Sequence, residues 1–415
     1  MKKFLAFALA SLIFLSNYGV ALAKPAAENA DAYILIDAET GSVLCEKNSQ
    51  ARLYPASTTK IITAVLAIEM GDLDQVMTAS QSAIDDIGPD GSNIGIIPGE
   101  KIRLENLLQA LLICSANEAA NIIAENICAT REEFVGLMNR KARELGATGT
   151  NFTNTSGIHD PDHYTTAADM AILARYAMTL PKFREIVRVP SLAMPPTNKH
   201  LEWPALANTN RLLTSLKKDT YEVNGIKTGF TGPAGYNLVA SAVDSSGMEL
   251  ISVVMGVRNK NAYENVRKYS EELLDYGFNN FKKVILLEKG KVYRNVKVEN
   301  AADVFGLDLI TAEGLKCILP KETSTSDIQE ISHISDSISA PINEGDIMGY
   351  VEFLKDGVSI GKINLIAARN VDHAPIPETA FPYIKIGLYV AGFVVFFIML
   401  KTILRRISRM VHSRR

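Results

Sequence analysis

Tyr54-Pro55-Ala56-Ser57-Thr58-Thr59-Lys60 stands directly ahead of Ile61–Met70, a run of apolar residues and good helix formers without glycine or proline. Proline, serine and threonine are common where a helix starts, so a helix is predicted to begin here. Ser57 and Lys60 are three residues apart, and on a helix that spacing brings a hydroxyl and an amine to one face. A serine hydroxyl becomes a competent nucleophile when a neighbouring base takes its proton, and an amine with a lowered pKa is such a base. The start of a helix also favours negative charge developing on that oxygen. An N-capping serine beside a solvated lysine has the same spacing, so the pair needs support from the rest of the chain.

Two further groups supply it. Ser115-Ala116-Asn117 interrupts a helical pattern that runs from Leu104 to Ile127, where a tight turn presents a hydroxyl and an amide together. Lys227-Thr228-Gly229 falls in a strand-like run; its lysine and threonine are donors for a carboxylate, and its glycine leaves room for an extended peptide alongside. Around these groups the chain reads as a hairpin (Ala32–Asp37 and Ser42–Cys45), a polar loop (Asp85–Glu100), helices near 132–145 and 166–178, a loop at 151–164, strands at Tyr236–Ala242 and Leu250–Met255, and a closing helix near 264–276. The expected fold class is therefore α+β, with an antiparallel sheet packed by helices. From Val284 the pattern is β only, with Asp356-Gly357 as a hairpin turn and loops or edge strands over 323–340, which predicts a small β-sandwich.

The ends carry membrane signals. Lys2 and Lys3, the apolar run Phe4–Leu15 and Ala21-Leu22-Ala23 read as a signal peptide over residues 1–23. The first domain then covers 24–282 and the β-sandwich 283–372. Residues 373–415 form a linker with Pro375, Pro377 and Pro382, an uncharged run Ile386–Leu400 that predicts a transmembrane helix, and a basic tail with Lys401, Arg405, Arg406 and Arg409. Basic clusters belong on the cytoplasmic side, which puts the body outside the cell membrane. The net charge of −3 makes no case for nucleic acid. Cys45, Cys114, Cys128 and Cys317 lie in apolar stretches without a C-x-x-C pair, leaving free thiols and disulfides both open.

The order Ser-x-x-Lys, Ser-x-Asn, Lys-Thr-Gly is that of the penicilloyl-serine transferases, and the chain resembles the D-alanyl-D-alanine carboxypeptidases, the low-molecular-weight penicillin-binding proteins. Supporting segments are Tyr33–Asp37 with Thr40-Gly41, Leu111–Ala120, Asn154–Gly157, His163–Ala167, Lys227–Asn237 and Tyr276–Phe278, so the resemblance is dense from Ala32 to Phe281. It implies a β-lactamase/transpeptidase-like catalytic domain that removes the terminal D-alanine of peptidoglycan pentapeptide stems and is acylated by β-lactam antibiotics, without metal or cofactor. It implies Ser57 as nucleophile, Lys60 as base, and Ser115 as relay to the leaving D-alanine. Substrate binding would fall to Asn117, Lys227, Thr228 and Gly229, with backbone N–H groups of Ser57 and Phe230 as the oxyanion hole. The family often places an arginine on the closing helix to meet the substrate carboxylate; Val266 stands there, which passes the role to Arg267 beside it or to Arg258 upstream.

Other readings stay open on the residues. A D,D-endopeptidase on cross-links uses the same machinery. A class A β-lactamase shares the triplet, but the 151–164 loop has Asp160 and Asp162 and no glutamate. His159-Asp-Pro-Asp-His163 has the residue types of a zinc D,D-peptidase. A catalytically silent, membrane-anchored wall scaffold is the last.

Overall fold

A computed structural model describes residues 27–88, 90–215, 218–302, 306–375 and 381–412. The expected signal peptide lies outside these residues. Two compact units are present: the chain to Val284 with Cys317–Thr323, and Ile285–Lys316 with the chain from Ser324 onward.

In the first unit the expected hairpin forms as β1 (Ala32–Asp37) and β2 (Val43–Lys47). Three long strands follow much later: β3 (Tyr221–Thr231), β4 (Gly235–Asp244) and β5 (Glu249–Val257). They join the hairpin in one antiparallel sheet of order β2-β1-β5-β4-β3. Alternate residues of a strand point to opposite faces. Ile34 and Ile36 of β1 enter one apolar cluster and Tyr33 and Leu35 the other, because helices cover both faces of this sheet.

On one face lie α1 (Lys60–Met70), α2 (Leu104–Ile113), α3 (Asn117–Ile127), α4 (Arg131–Glu144) and α5 (Ala167–Ala177). Ile61, Ile62 and Val65 of α1 share one buried cluster with Leu107, Leu108 and Leu111 of α2 and with Ile226, Val239 and Ile251 of the sheet. Thr130 and Thr166 cap α4 and α5 by accepting from the backbone N–H of Glu133 and Asp169. The opposite face is closed by α6 (Ala262–Asn280), whose Val266, Leu273, Leu274 and Phe278 pack with Leu238, Ala240 and Val254. The expected antiparallel sheet packed by helices is thus present as three layers.

The second unit is built on β6 (Val292–Val296), β7 (Leu307–Thr311), β8 (Ile328–Ile334), β9 (Ile347–Lys355) and β10 (Val358–Ala367), ordered β6-β7-β10-β9-β8. Asp356 and Gly357 both take positive φ, +51° and +78°, between paired Lys355 and Val358, as a two-residue hairpin turn requires. Residues 323–340 contribute the edge strand β8, as expected. The helix α7 (Phe381–His412) contains Lys385–Arg406, a segment of 22 residues with mean hydropathy 2.2, long and apolar enough to cross a membrane. All four cysteines are free thiols.

Candidate active site

Ser57 lies on a 3₁₀ turn, Ala56–Thr59, and α1 begins one turn later than the sequence suggests, at Lys60. The tighter turn still brings Lys60 Nζ to 2.8 Å from Ser57 Oγ. This lysine is fully buried, so the solvated lysine of the bland reading is not what the fold contains. Its Nζ also lies 2.7 Å from Asn117 Oδ1 and 2.7 Å from the Ser156 carbonyl. Asn117 Nδ2 donates to the Ile87 carbonyl at 2.8 Å, which turns Oδ1 toward the amine.

The three contacts accommodate a neutral amine as well as a charged one. A neutral amine has two N–H groups and one lone pair. In that form the Asn117 and Ser156 carbonyls, which can only accept, take both hydrogens and the lone pair faces the Ser57 hydroxyl. Electrostatics favour this form. Burial pushes the Lys60 pKa well below its ordinary 10.5, the Lys227 cation pushes it further down, and Glu118 opposes them. Lys227 is itself fully buried, is brought down to about 7 by that burial, and donates to the Thr228 carbonyl at 3.1 Å.

Ser115 sits between α2 and α3 with φ +65°, a left-handed conformation that costs a serine about 1–3 kcal/mol and is found where function demands it. Its hydroxyl has no hydrogen-bond partner among the described residues. Ser57, Ser115, Thr228, Gly229 and Phe230 line one cleft of about 390 Å³ together with Asp90 and Ser92. Asn117 reaches an adjoining recess that Ser57 also lines, and its second Nδ2 hydrogen is uncommitted there. Phe230 is 53% exposed and stacks on Tyr236 with ring centroids 4.3 Å apart.

Gly229 has a different reason from the expected one. A Cβ added there would lie 2.8 Å from the Pro55 carbonyl oxygen and 3.2 Å from the Ser57 backbone nitrogen. Its missing side chain makes room for the turn that carries Ser57, bringing β3 against the backbone of Ser57. The expectation for Arg267 also needs correcting: it bonds Ser215 Oγ at 3.0 Å, pairs with Glu264 and is not part of the cleft. Arg258, held by Asp31 and the Pro233 carbonyl, lines a neighbouring cavity without Ser57.

Three contributors escaped the sequence reading. The Ser156 carbonyl is a backbone atom with no letter of its own. Glu118, buried beside Asn117, accepts the Ile94 backbone N–H at 2.7 Å and so ties the 85–100 loop to the start of α3. Arg211 lines the cleft from the turn before β3.

Known proteins carry the same plan. Residues 20–259, over half of the chain, match the model of the D-alanyl-D-alanine carboxypeptidase family. The chain belongs to that family. Residues 281–373 match the C-terminal domain of penicillin-binding protein 5. The D-alanyl-D-alanine carboxypeptidase DacF of Bacillus subtilis is 33% identical over 90% of this chain and 96% of its own. The carboxypeptidase DacA of Haemophilus influenzae is 32% identical over 89% and 93%. The crystal structure of penicillin binding protein 5 from Haemophilus influenzae aligns with TM-score 0.72 at 31% identity, covering 83% of this chain and 98% of that one. This D-alanyl-D-alanine carboxypeptidase relative is accordingly a serine hydrolase. The histidines of the zinc reading have other work. His163 accepts the Thr153 backbone N–H at Nδ1 and bonds Thr59 through Nε2 at 2.8 Å; burial lowers its pKa to about 4. His159 packs edge-on against Tyr54.

Proposed function

We propose that this protein removes the terminal D-alanine from peptidoglycan pentapeptide stems through an ester on Ser57. The observation that carries the reading is the Lys60 amine, fully buried, held by two carbonyl acceptors and placed 2.8 Å from the Ser57 hydroxyl. Ser57 attacks the penultimate carbonyl as Lys60 takes its proton. The resulting oxyanion is met by the backbone N–H groups of Ser57 and Phe230. Ser115 passes the proton to the leaving amine, and water then attacks the ester. The substrate lies extended beside β3, whose free edge ends the sheet and presents Thr228. A penicillin enters by the same route and stays as a slowly hydrolysed ester. The α7 span anchors the enzyme in the cell membrane, with its basic end toward the cytoplasm and the catalytic unit on the outer side.

Release of D-alanine from a pentapeptide should exceed cleavage of a cross-linked dimer severalfold. The reverse order would make the enzyme an endopeptidase. Acylation by penicillin should speed up as pH rises, because Lys60 acts only when neutral, and should level off well below 10.5. A rate that keeps climbing to pH 10.5 would contradict the lowered pKa. Gly229→Ala, by pushing on the Pro55–Ser57 backbone, should slow acylation at least roughly tenfold while the far-ultraviolet spectrum stays unchanged.

A further inference from the structure

The cleft has one cation whose purpose the mechanism above leaves unstated. Arg211 lines it together with Ser57, Thr209, Thr228 and Val266. Arg258 and Arg267 are both committed elsewhere, whereas the Arg211 guanidinium makes no hydrogen bond or ion pair among the described residues. It lies over the face of Tyr263, with the guanidinium carbon 5.5 Å from the ring centroid. Asp90 lines the same cleft without pairing with it.

The turn that carries Arg211 is built to stay put. Asn208 donates its side-chain amide to the Val189 carbonyl at 3.0 Å, and its backbone N–H to the Pro190 carbonyl at 2.9 Å. The Thr209 N–H reaches the Ile113 carbonyl at 3.1 Å, which ties the turn to the end of α2 one residue before Cys114-Ser115. Asn208 Oδ1 accepts from the Asn210 N–H, and Asn210 Oδ1 from the Leu212 N–H, closing two successive side-chain turns around Arg211. Thr209 Oγ1 accepts from Thr228 Oγ1 at 2.7 Å, so Thr228 and the Arg211 turn are joined directly. On the other side, Val266 is 4% exposed and offers no charge.

We propose that Arg211 binds the C-terminal carboxylate of the substrate, acting from the 208–212 turn in place of an arginine on the closing helix, with Thr228 beside it. This rests on the D-alanine-releasing reading above. A guanidinium meets a carboxylate through two parallel N–H donors, which a lysine cannot reproduce. Tyr263 holds the guanidinium plane while the cleft is empty.

The test compares two peptides ending in D-Ala-D-Ala, one with a free carboxylate and one with a carboxamide, on the wild type and on Arg211→Ala, Arg211→Lys and Arg267→Ala. Arg211→Ala should lower kcat/KM for the carboxylate peptide roughly 10- to 100-fold and that for the carboxamide less than about threefold. Arg211→Lys should fall between wild type and alanine. Arg267→Ala should stay within about twofold of wild type on both. Acylation rates with a penicillin and with its methyl ester should divide in the same way. The assignment is overturned if Arg211→Ala lowers both peptides equally or neither, or if the division appears in Arg267→Ala. A wild type that releases no D-alanine and takes up no penicillin would sink the underlying reading, and the Arg211 assignment with it.

Discussion

Ser57→Ala protein is expected to release D-alanine at no more than about 10⁻⁴ of the wild-type rate and to gain no mass from penicillin. Nothing else in the cleft can replace the lost oxygen. Ser115 has a hydroxyl, but the Lys60 amine contacts Ser57, and its other two contacts are carbonyls. The fold should hardly notice, because the Ser57 hydroxyl makes a single hydrogen bond, worth on the order of 1 kcal/mol. Intact-mass spectra after incubation with penicillin decide the matter. An adduct on Ser57→Ala at the wild-type rate would take the nucleophile's role away from this residue.

The second large effect has two faces. Lys227→Met should cut acylation on the order of 10²- to 10³-fold, since Lys60 loses the cation that helps keep it neutral. The same change should stabilise the protein. In the unfolded chain a lysine keeps its proton to about 10.5, and in the fold Lys227 keeps it only to about 7. Between those values the unfolded chain binds more protons, so wild-type stability climbs with pH. The penalty is complete below pH 7 and gone above 10.5. Methionine removes it, for a gain of about 5 kcal/mol at pH 6 that shrinks from pH 7 toward pH 10. Thermal melts of both proteins at pH 6 and pH 9.5 measure this. An equal shift at the two pH values, or a lowered midpoint at pH 6, would contradict it.

Side chains that act as side chains were legible in the sequence. Ser57, Lys60, Ser115, Asn117, Lys227 and Thr228 were recognisable from three short motifs, and the fold gathers all six around one cleft. The hairpin, the closing helix and the Asp356-Gly357 turn followed from periodicity and turn chemistry. What escaped has physical causes. The Ser156 carbonyl holds Lys60, but a carbonyl is common to every residue and only its position matters. Gly229 was singled out for the wrong neighbour: a missing Cβ says that something comes close, not whether it is a substrate or the chain itself. Arg267 was singled out because it is adjacent in sequence to Val266, and Arg211 was not considered. On a helix, adjacent residues diverge by about 100°, so the side chain next to a cleft residue points elsewhere. Strand β7 went unread because a glycine and an Ala-Glu-Gly break leave only five residues between them.

The placement of β3 at the end of the sheet carries a liability as well as a function. A free strand edge will accept any extended chain, including that of a second molecule, and is a familiar seed of aggregation. Here the turn bearing Ser57 packs on the face of the strand over Gly229 and its neighbour Asn237, and it leaves the edge itself open. The edge that a substrate would pair with is therefore the same edge that a second molecule could join.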